Sequence, residues 1–145
     1  MRCLPIIAGS LGLSITVAAE APALTVSDVI THIDALNGKT VRVKGYLGEC
    51  TGYDCNLFPD RAGRDAWDQG FARLRKGDRS KVFDQPMALG LGEENDFDRK
   101  AAPLRNSYVI ITGKVTNECR YQGQRACTDR STDLKPIDIV PAKDQ

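Results

Sequence analysis

Residues 39–50 read KTVRVKGYLGEC. Val41, Val43 and Leu47 mark one side of this run, and Arg42, Lys44 and Tyr46 are offset from them. Alternation with a period of two is the pattern of a strand that buries one face and wets the other. Gly45 sits inside the run, where a residue without a side chain points to a bulge or a sharp coil. A strand needs such a bend when it serves both halves of a closed sheet. A second stretch, SYVIITGKVTNEC at 107–119, has β-branched Val109, Ile110 and Ile111, and Gly113 breaks it much as Gly45 breaks the first.

Around these two strands the chain supplies the remaining elements. Upstream, LTVSDVITHIDALN at 24–37 places Val26, Val29, Ile30, Ile33 and Leu36 three and four residues apart, one apolar face of a helix. Ser27 or Thr25 caps its start, and Asn37 with Gly38 supplies a left-handed stop. Cys55 to Phe58 reads as a short second strand stopped by Pro59. In DAWDQGFARLRK, Trp67, Phe71 and Leu74 recur at four and three residues, giving a short amphipathic helix that Gly70 weakens by about 1 kcal/mol. PMALGLG at 86–92 reads as a third strand. A short helix is expected from about Asn95 to Ala102, with Pro103 ending it. LKPIDIVP at 134–141 closes the series as a fifth strand.

The chain has 145 residues, 41% hydrophobic and 27% charged, with 20 basic against 19 acidic side chains, five cysteines and one histidine. It is long enough for one core and too apolar for a disordered chain. Its charge is too balanced for a tail that holds polyanions by net attraction. The one basic excess is local: Arg61 to Lys81 holds seven basic and three acidic residues. A solvated helix face with Trp67 and Phe71 packing beneath it accounts for that patch. His32 falls beside the apolar stripe, as a helix-surface histidine does, and a Ser-His-Asp or Cys-His centre would have no other imidazole to use.

Residues 1–19 carry Arg2 as their only charge, then an apolar run and small residues, the three-part layout of a secretory signal. Val17 and Ala19 fit the small positions before a cut, so cleavage is expected after Ala19, with Ala23 as second choice. Pro5, Gly9 and Gly12 and the shortness of the run argue against a retained membrane helix. Residues 20–145 then form a single domain with no membrane span, periplasmic or extracellular, with 19 basic against 19 acidic groups. Four cysteines remain: Cys50, Cys55, Cys119 and Cys127. An even number after a signal peptide reads as a disulfide framework. Local pairing, Cys50 with Cys55 and Cys119 with Cys127, is expected, because each pair brackets a turn-rich loop (CTGYDC and CRYQGQRAC). The rival, a zinc site of four thiolates, lacks the tight two-residue knuckles.

The element order, the glycine-broken VRVKGYL start and the fourth strand YVIITGKV resemble the OB-fold, and most closely small exported bacterial OB-fold proteins. The resemblance covers about residues 25 to 141. It implies an all-β chain: a five-stranded OB-fold-like Greek-key barrel with an N-terminal helix and short inserted helices. Another small barrel or an α+β sandwich are the competing architectures. In OB-folds the ligand lies across strands two and three, between the loops joining strands one to two and four to five. Here those would be the two cysteine-closed loops. The resemblance thus implies candidate contacts at Tyr46, Tyr53, Asn56 and Phe58 on one side, and Arg120, Tyr121 and Arg125 on the other. The function expected is a non-enzymatic, disulfide-stabilised binding module for a small ligand, an oligosaccharide or a protein, with no cofactor and no metal. A single-stranded nucleic-acid binder is the alternative, argued for only by the 61–81 patch. A small hydrolase is the less favoured one, since adjacent acids such as Asp96 with Asp98 or Glu93 with Glu94 read as helix-start caps.

Overall fold

The computed structural model describes residues 20–78, 88–93, 96–121, 124–125, 130 and 132–143. The expected signal segment, Cys127 and the first residues of the expected third strand lie outside these. The architecture is mostly β. A short strand β1 (Leu24–Thr25) leads into helices α1 (Val26–Thr31) and α2 (Ile33–Leu36). Strands β2 (Thr40–Thr51) and β3 (Asp54–Phe58), helix α3 (Arg61–Arg75) and strand β4 (Leu89–Gly90) follow. Helix α4 (Phe97–Ala101) runs into a 3-10 turn (Ala102–Leu104), and β5 (Tyr108–Val115), a hairpin of β6 (Arg120–Tyr121) and β7 (Gln124–Arg125), and β8 (Leu134–Pro141) complete the order.

The main sheet has six strands in the order β4-β3-β2-β5-β8, with β1 added in parallel beside β2. Every other ladder is antiparallel. β2 is the axis of the fold. Its first half pairs with β5 from Thr40–Lys114 to Tyr46–Tyr108, and its second half pairs with β3 from Tyr46–Phe58 to Thr51–Asp54. The two ends of the sheet are drawn together at one parallel bridge, Leu91 to Leu134, so the sheet is an open one whose edges touch at a point. Six strands replace the expected five because Leu24 and Thr25 are extended. The long α3 makes the chain mostly, rather than wholly, β.

Gly45 explains how β2 changes partners. It is buried where β1 and α1 give way to β3. A methyl group there would stand 2.7 Å from both Leu57 Cγ and the Phe58 carbonyl oxygen, and 2.9 Å from Val26 Cγ2. The expected bulge is not at this residue. The register shift in β2 lies between Leu47 and Cys50, and Gly45 serves close approach instead. Gly113 combines both roles: the β5–β8 register shifts beside it, and a methyl would meet the Lys135 carbonyl oxygen at 2.7 Å.

The inner face of the sheet forms one core. Val43 and Leu47 of β2, Leu57 of β3, Leu89 and Leu91, Val109, Ile111 and Val115 of β5, and Leu134 and Ile139 of β8 meet there. Val26, Val29 and Ile33 close one side of it, and Phe97 and Ala101 join from α4. The single helix expected over 24–37 is two, because the chain breaks at His32 (φ −113°, ψ 22°). Thr25 caps α1 in a reciprocal box: its hydroxyl accepts from the Asp28 N–H, and the Asp28 carboxylate accepts from the Thr25 N–H at 3.0 Å. Gly38 then turns the chain at φ 79°, as the sequence suggested. Pro103 lies within the 3-10 turn after α4 rather than stopping it outright.

Two outcomes follow from this packing. Gly45→Ala is expected to lower the unfolding free energy by about 1–3 kcal/mol, the cost of forcing a methyl against backbone, read as a lower urea midpoint. Hydrogen bonds from Thr25 hold the Asp28 carboxyl below its ordinary value of 3.8. The stability that Asp28 contributes is therefore present above that pH and lost as the pH falls through the lowered folded value. An NMR titration should find the Asp28 carboxyl titrating below 3.8, and Thr25→Ala should move it back up.

Candidate functional site

Tyr46 is paired in register with Phe58 on β3 and with Tyr108 on β5, so three aromatic residues stand side by side on the outer face of three adjacent strands. The Tyr46 and Tyr108 rings meet edge to face with centroids 5.2 Å apart. Gly48, two residues on from Tyr46, leaves room for the Phe58 ring: a methyl there would lie 2.8 Å from Phe58 Cε2.

Helix α3 lengthens this row. Asp60 caps it, accepting the Gly63 N–H at 2.7 Å. Arg61 with Asp65 and Arg64 with Asp68 pair one turn apart, and Arg73 and Arg75 in the last turn suit the helix dipole. The apolar stripe expected from the sequence faces the sheet: Trp67 packs on Phe58 at 5.8 Å, and Phe71 packs on Trp67 at 5.4 Å. A row of five aromatic residues results, Tyr108–Tyr46–Phe58–Trp67–Phe71. Its centre is closed, with Tyr46 and Phe58 buried. Its two ends are open, Tyr108 being 42% and Phe71 43% exposed.

The polar candidates on the other side turn inward. Arg120 Nε and Nη2 donate to Asp133 Oδ1 and Oδ2, both at 3.0 Å, and Nη2 also donates to the Ala88 carbonyl at 2.8 Å. Asp133 has no exposed surface, and its Oδ2 accepts the Gly90 N–H at 2.8 Å. A carboxylate with no access to water needs a charged partner, and this requirement, rather than a ligand, positions Arg120. Arg130 acts nearby in the same way. It holds Asp98 with two short bonds, Nη1 to Oδ2 at 2.7 Å and Nη2 to Oδ1 at 2.6 Å. It also donates to the carbonyls of Leu91, Gly92 and Gly52.

These contacts account for the acidic cluster. Asp98 is held by Arg130 and Asp96 by Arg99 at 2.8 Å, so the two carboxylates serve separate arginines rather than facing each other. Glu94 lies outside the described residues. His32 is on the surface, its Nδ1 2.9 Å from the Asp28 carbonyl. Among the described residues no group of three or more His, Cys, Asp or Glu could hold a metal ion.

Of the sequence-derived contacts, the fold brings Tyr46 and Phe58 together and sets Asn56 two residues along β3. Asn56 is buried, and its Nδ2 donates to Asp54 Oδ1 at 2.6 Å. Tyr53 stands apart at the tip of the β2–β3 turn, 84% exposed. Tyr121 and Arg125 contribute backbone to the β6–β7 hairpin, and their side chains lie outside the described residues. Tyr108, Asp133 and Arg130 were not singled out. Only the register between β2 and β5 makes Tyr108 a neighbour of Tyr46, and no local pattern in the sequence carries that register.

Cys50 and Cys55 form a disulfide across the β2–β3 hairpin, with Cα atoms 4.1 Å apart, and both are buried in the core. Closing so short a loop contributes about 2 kcal/mol. Cys119 is disulfide-bonded as well, so thiolate zinc ligation fails at three of the four cysteines. No helix of the described residues is long and apolar enough to cross a membrane. Both facts are compatible with an exported protein. No protein-family model, no curated protein and no solved structure matches the chain.

The buried pair yields a sharp outcome. Arg120→Met strands the Asp133 carboxylate and should cost about 3–5 kcal/mol, whereas Arg120→Met with Asp133→Leu should recover a large part of that loss, both measured by urea unfolding.

Proposed function

We propose that the chain is an exported, non-enzymatic binding module on an OB-type barrel, which takes its ligand on the outer face of β2, β3 and β5. The observation that carries this reading is the five-residue aromatic row, open at both ends and closed at its centre. Aromatic rings left accessible at the end of a packed row bind planar or ring-shaped ligands with little loss of side-chain freedom, because their neighbours already hold them. Tyr108 and Phe71 are the contacts at the two ends, and Tyr53 is a third contact at the hairpin tip.

Several features support the barrel. The strand order β4-β3-β2-β5-β8, read from the first long strand, is three-two-one-four-five, and the third and fifth meet in parallel through Leu91 and Leu134. That is the order the resemblance to OB-folds implies. The disulfide at the hairpin between the first two strands, and the apolar leader at 1–19, support export. The sites usual for that fold, across β3 and β4, are partly covered here by α3, so the accessible part of the row shifts toward β5.

Trp67 is the only tryptophan and stands within the row, which makes its emission a direct reporter. Titration with xylo- and chito-oligosaccharides, polygalacturonate fragments and oligothymidylate should change that emission for a saccharide. Tyr108→Ala should weaken the response about five- to tenfold, in keeping with about 1 kcal/mol for one ring contact. An emission that none of these ligands alters would remove the reading. Affinity for oligothymidylate alone, with a steep salt slope, would replace it with single-strand binding.

A further inference from the structure

The outer face of β2, β5 and β8 carries a second pattern that the aromatic row does not use. Register aligns its residues in rows. Tyr46 and Tyr108 form one, and Lys44, Ile110 and Val140 the next. Arg42, Thr112 and Asp138 come third, and Thr40, Lys114 and Lys135 fourth. Alternation puts all of these on the side away from the core, since Val43, Ile111 and Ile139 between them are buried.

Lys114 and Lys135 are thus directly opposite one another on adjacent strands. Like charges in that position repel across about 5 Å and destabilise the sheet. No carboxylate relieves them: among the described residues neither lysine, nor Lys44, forms an ion pair. Arg42 differs, for Glu20 neutralises it at 2.9 Å. Asp138 is the one acid in these four rows. Three unneutralised lysines therefore line a strip that runs from Tyr108 to Lys114, roughly 20 Å along the strand.

We propose that this strip binds an extended acidic oligosaccharide, with its anionic groups on Lys114, Lys135 and Lys44 and a sugar ring against Tyr108 and Val140. This rests on the aromatic-row reading only for Tyr108. Charge complementarity selects an anion, and the length of the strip selects a chain rather than a single small ion. The free cations are lysines, point charges that suit carboxylate or sulfate groups without demanding forked geometry. A nucleic-acid strand would stack successive bases on successive aromatics, and beyond Tyr108 the strip offers none. A bilayer favours an apolar centre ringed by cations. Here the lysine pair stands at one end of the strip, with Ile137, Asp138 and the Arg42–Glu20 pair between it and the apolar Tyr108, Ile110 and Val140 at the other.

The test is calorimetric titration of the whole chain with polygalacturonate fragments. The result expected is saturable binding that weakens about tenfold between 50 and 200 mM salt, as displaced counterions demand. Lys114→Glu and Lys135→Glu should each weaken it a further tenfold or more while leaving the urea midpoint unchanged or higher, since each turns a repulsive pair into an attractive one. That opposition of signs distinguishes a ligand contact from a structural residue. Loss on Lys114→Glu without loss on Phe71→Ala upholds the strip, even if the rest of the row has no ligand. Absence of binding, indifference to both lysine substitutions, or tighter binding to oligothymidylate or to phosphatidylglycerol vesicles would overturn it.

Discussion

The Arg120–Asp133 pair holds the two ends of the sheet together, and much else rests on it. β4 is only two residues long, too short for a ladder to β8, and the bridge at Leu91 and Leu134 is a single contact. The charge pair reinforces what backbone pairing alone would leave weak. Asp133 sits just before β8 and accepts the Gly90 N–H. Arg120, fixed to it by two bonds, reaches the carbonyl of Ala88 just before β4. Backbone bonds from Asp133 N–H to Gly90 and from Gly92 N–H to Leu134 run beside it. Such a pair, buried among apolar neighbours, adds little net stability over a hydrophobic replacement, but it tolerates only one geometry. Its effect is to fix which strands lie at the seam.

Arg130 repeats the device one step along the seam. Between them the two arginines bind three carbonyls of residues 88–92 and one carboxylate each, Asp133 and Asp98. Both come from the segment between β5 and β8, which in sequence is a polar loop with a cysteine pair. Its contribution is to satisfy the carbonyls that flank the two-residue β4. This is why a loop arginine, Arg120, and one acid of the helix start, Asp98, face inward, while the neighbouring Asp96 stays exposed.

What was legible in the sequence divides along the same line. β2, β5 and β8 were readable because alternation is local and their cores are β-branched. The amphipathic face of α3 was readable because Trp67, Phe71 and Leu74 repeat at helical spacing. The disulfide of Cys50 and Cys55 was readable from the short loop between them. Long-range register was not. Tyr108 becomes a neighbour of Tyr46, and Lys114 of Lys135, only through pairings between residues more than twenty apart or across a bulge. The break of the first helix at His32, the close approach at Gly45 and the partner of Asp133 are likewise tertiary effects that local propensity does not encode.

The two patterns on the outer face have one physical origin. α3 roofs β3 and the second half of β2, and its Trp67, backed by Phe71, covers Phe58. Among the described residues nothing comparable covers β5 and β8, although Tyr108, Ile110 and Val140 there are apolar and only partly buried. A sheet face of that kind normally sets opposite charges near one another, as Glu20, ahead of β1, lies against Arg42. The lysine pair at Lys114 and Lys135 departs from that arrangement at the end of the face away from Tyr108. A side-chain arrangement that weakens the sheet without serving its core is the mark of a contact made with something outside the fold. In the proposed binding mode the aromatic end supplies apolar contact area, and the lysine end supplies the charge that orients a chain lying along it.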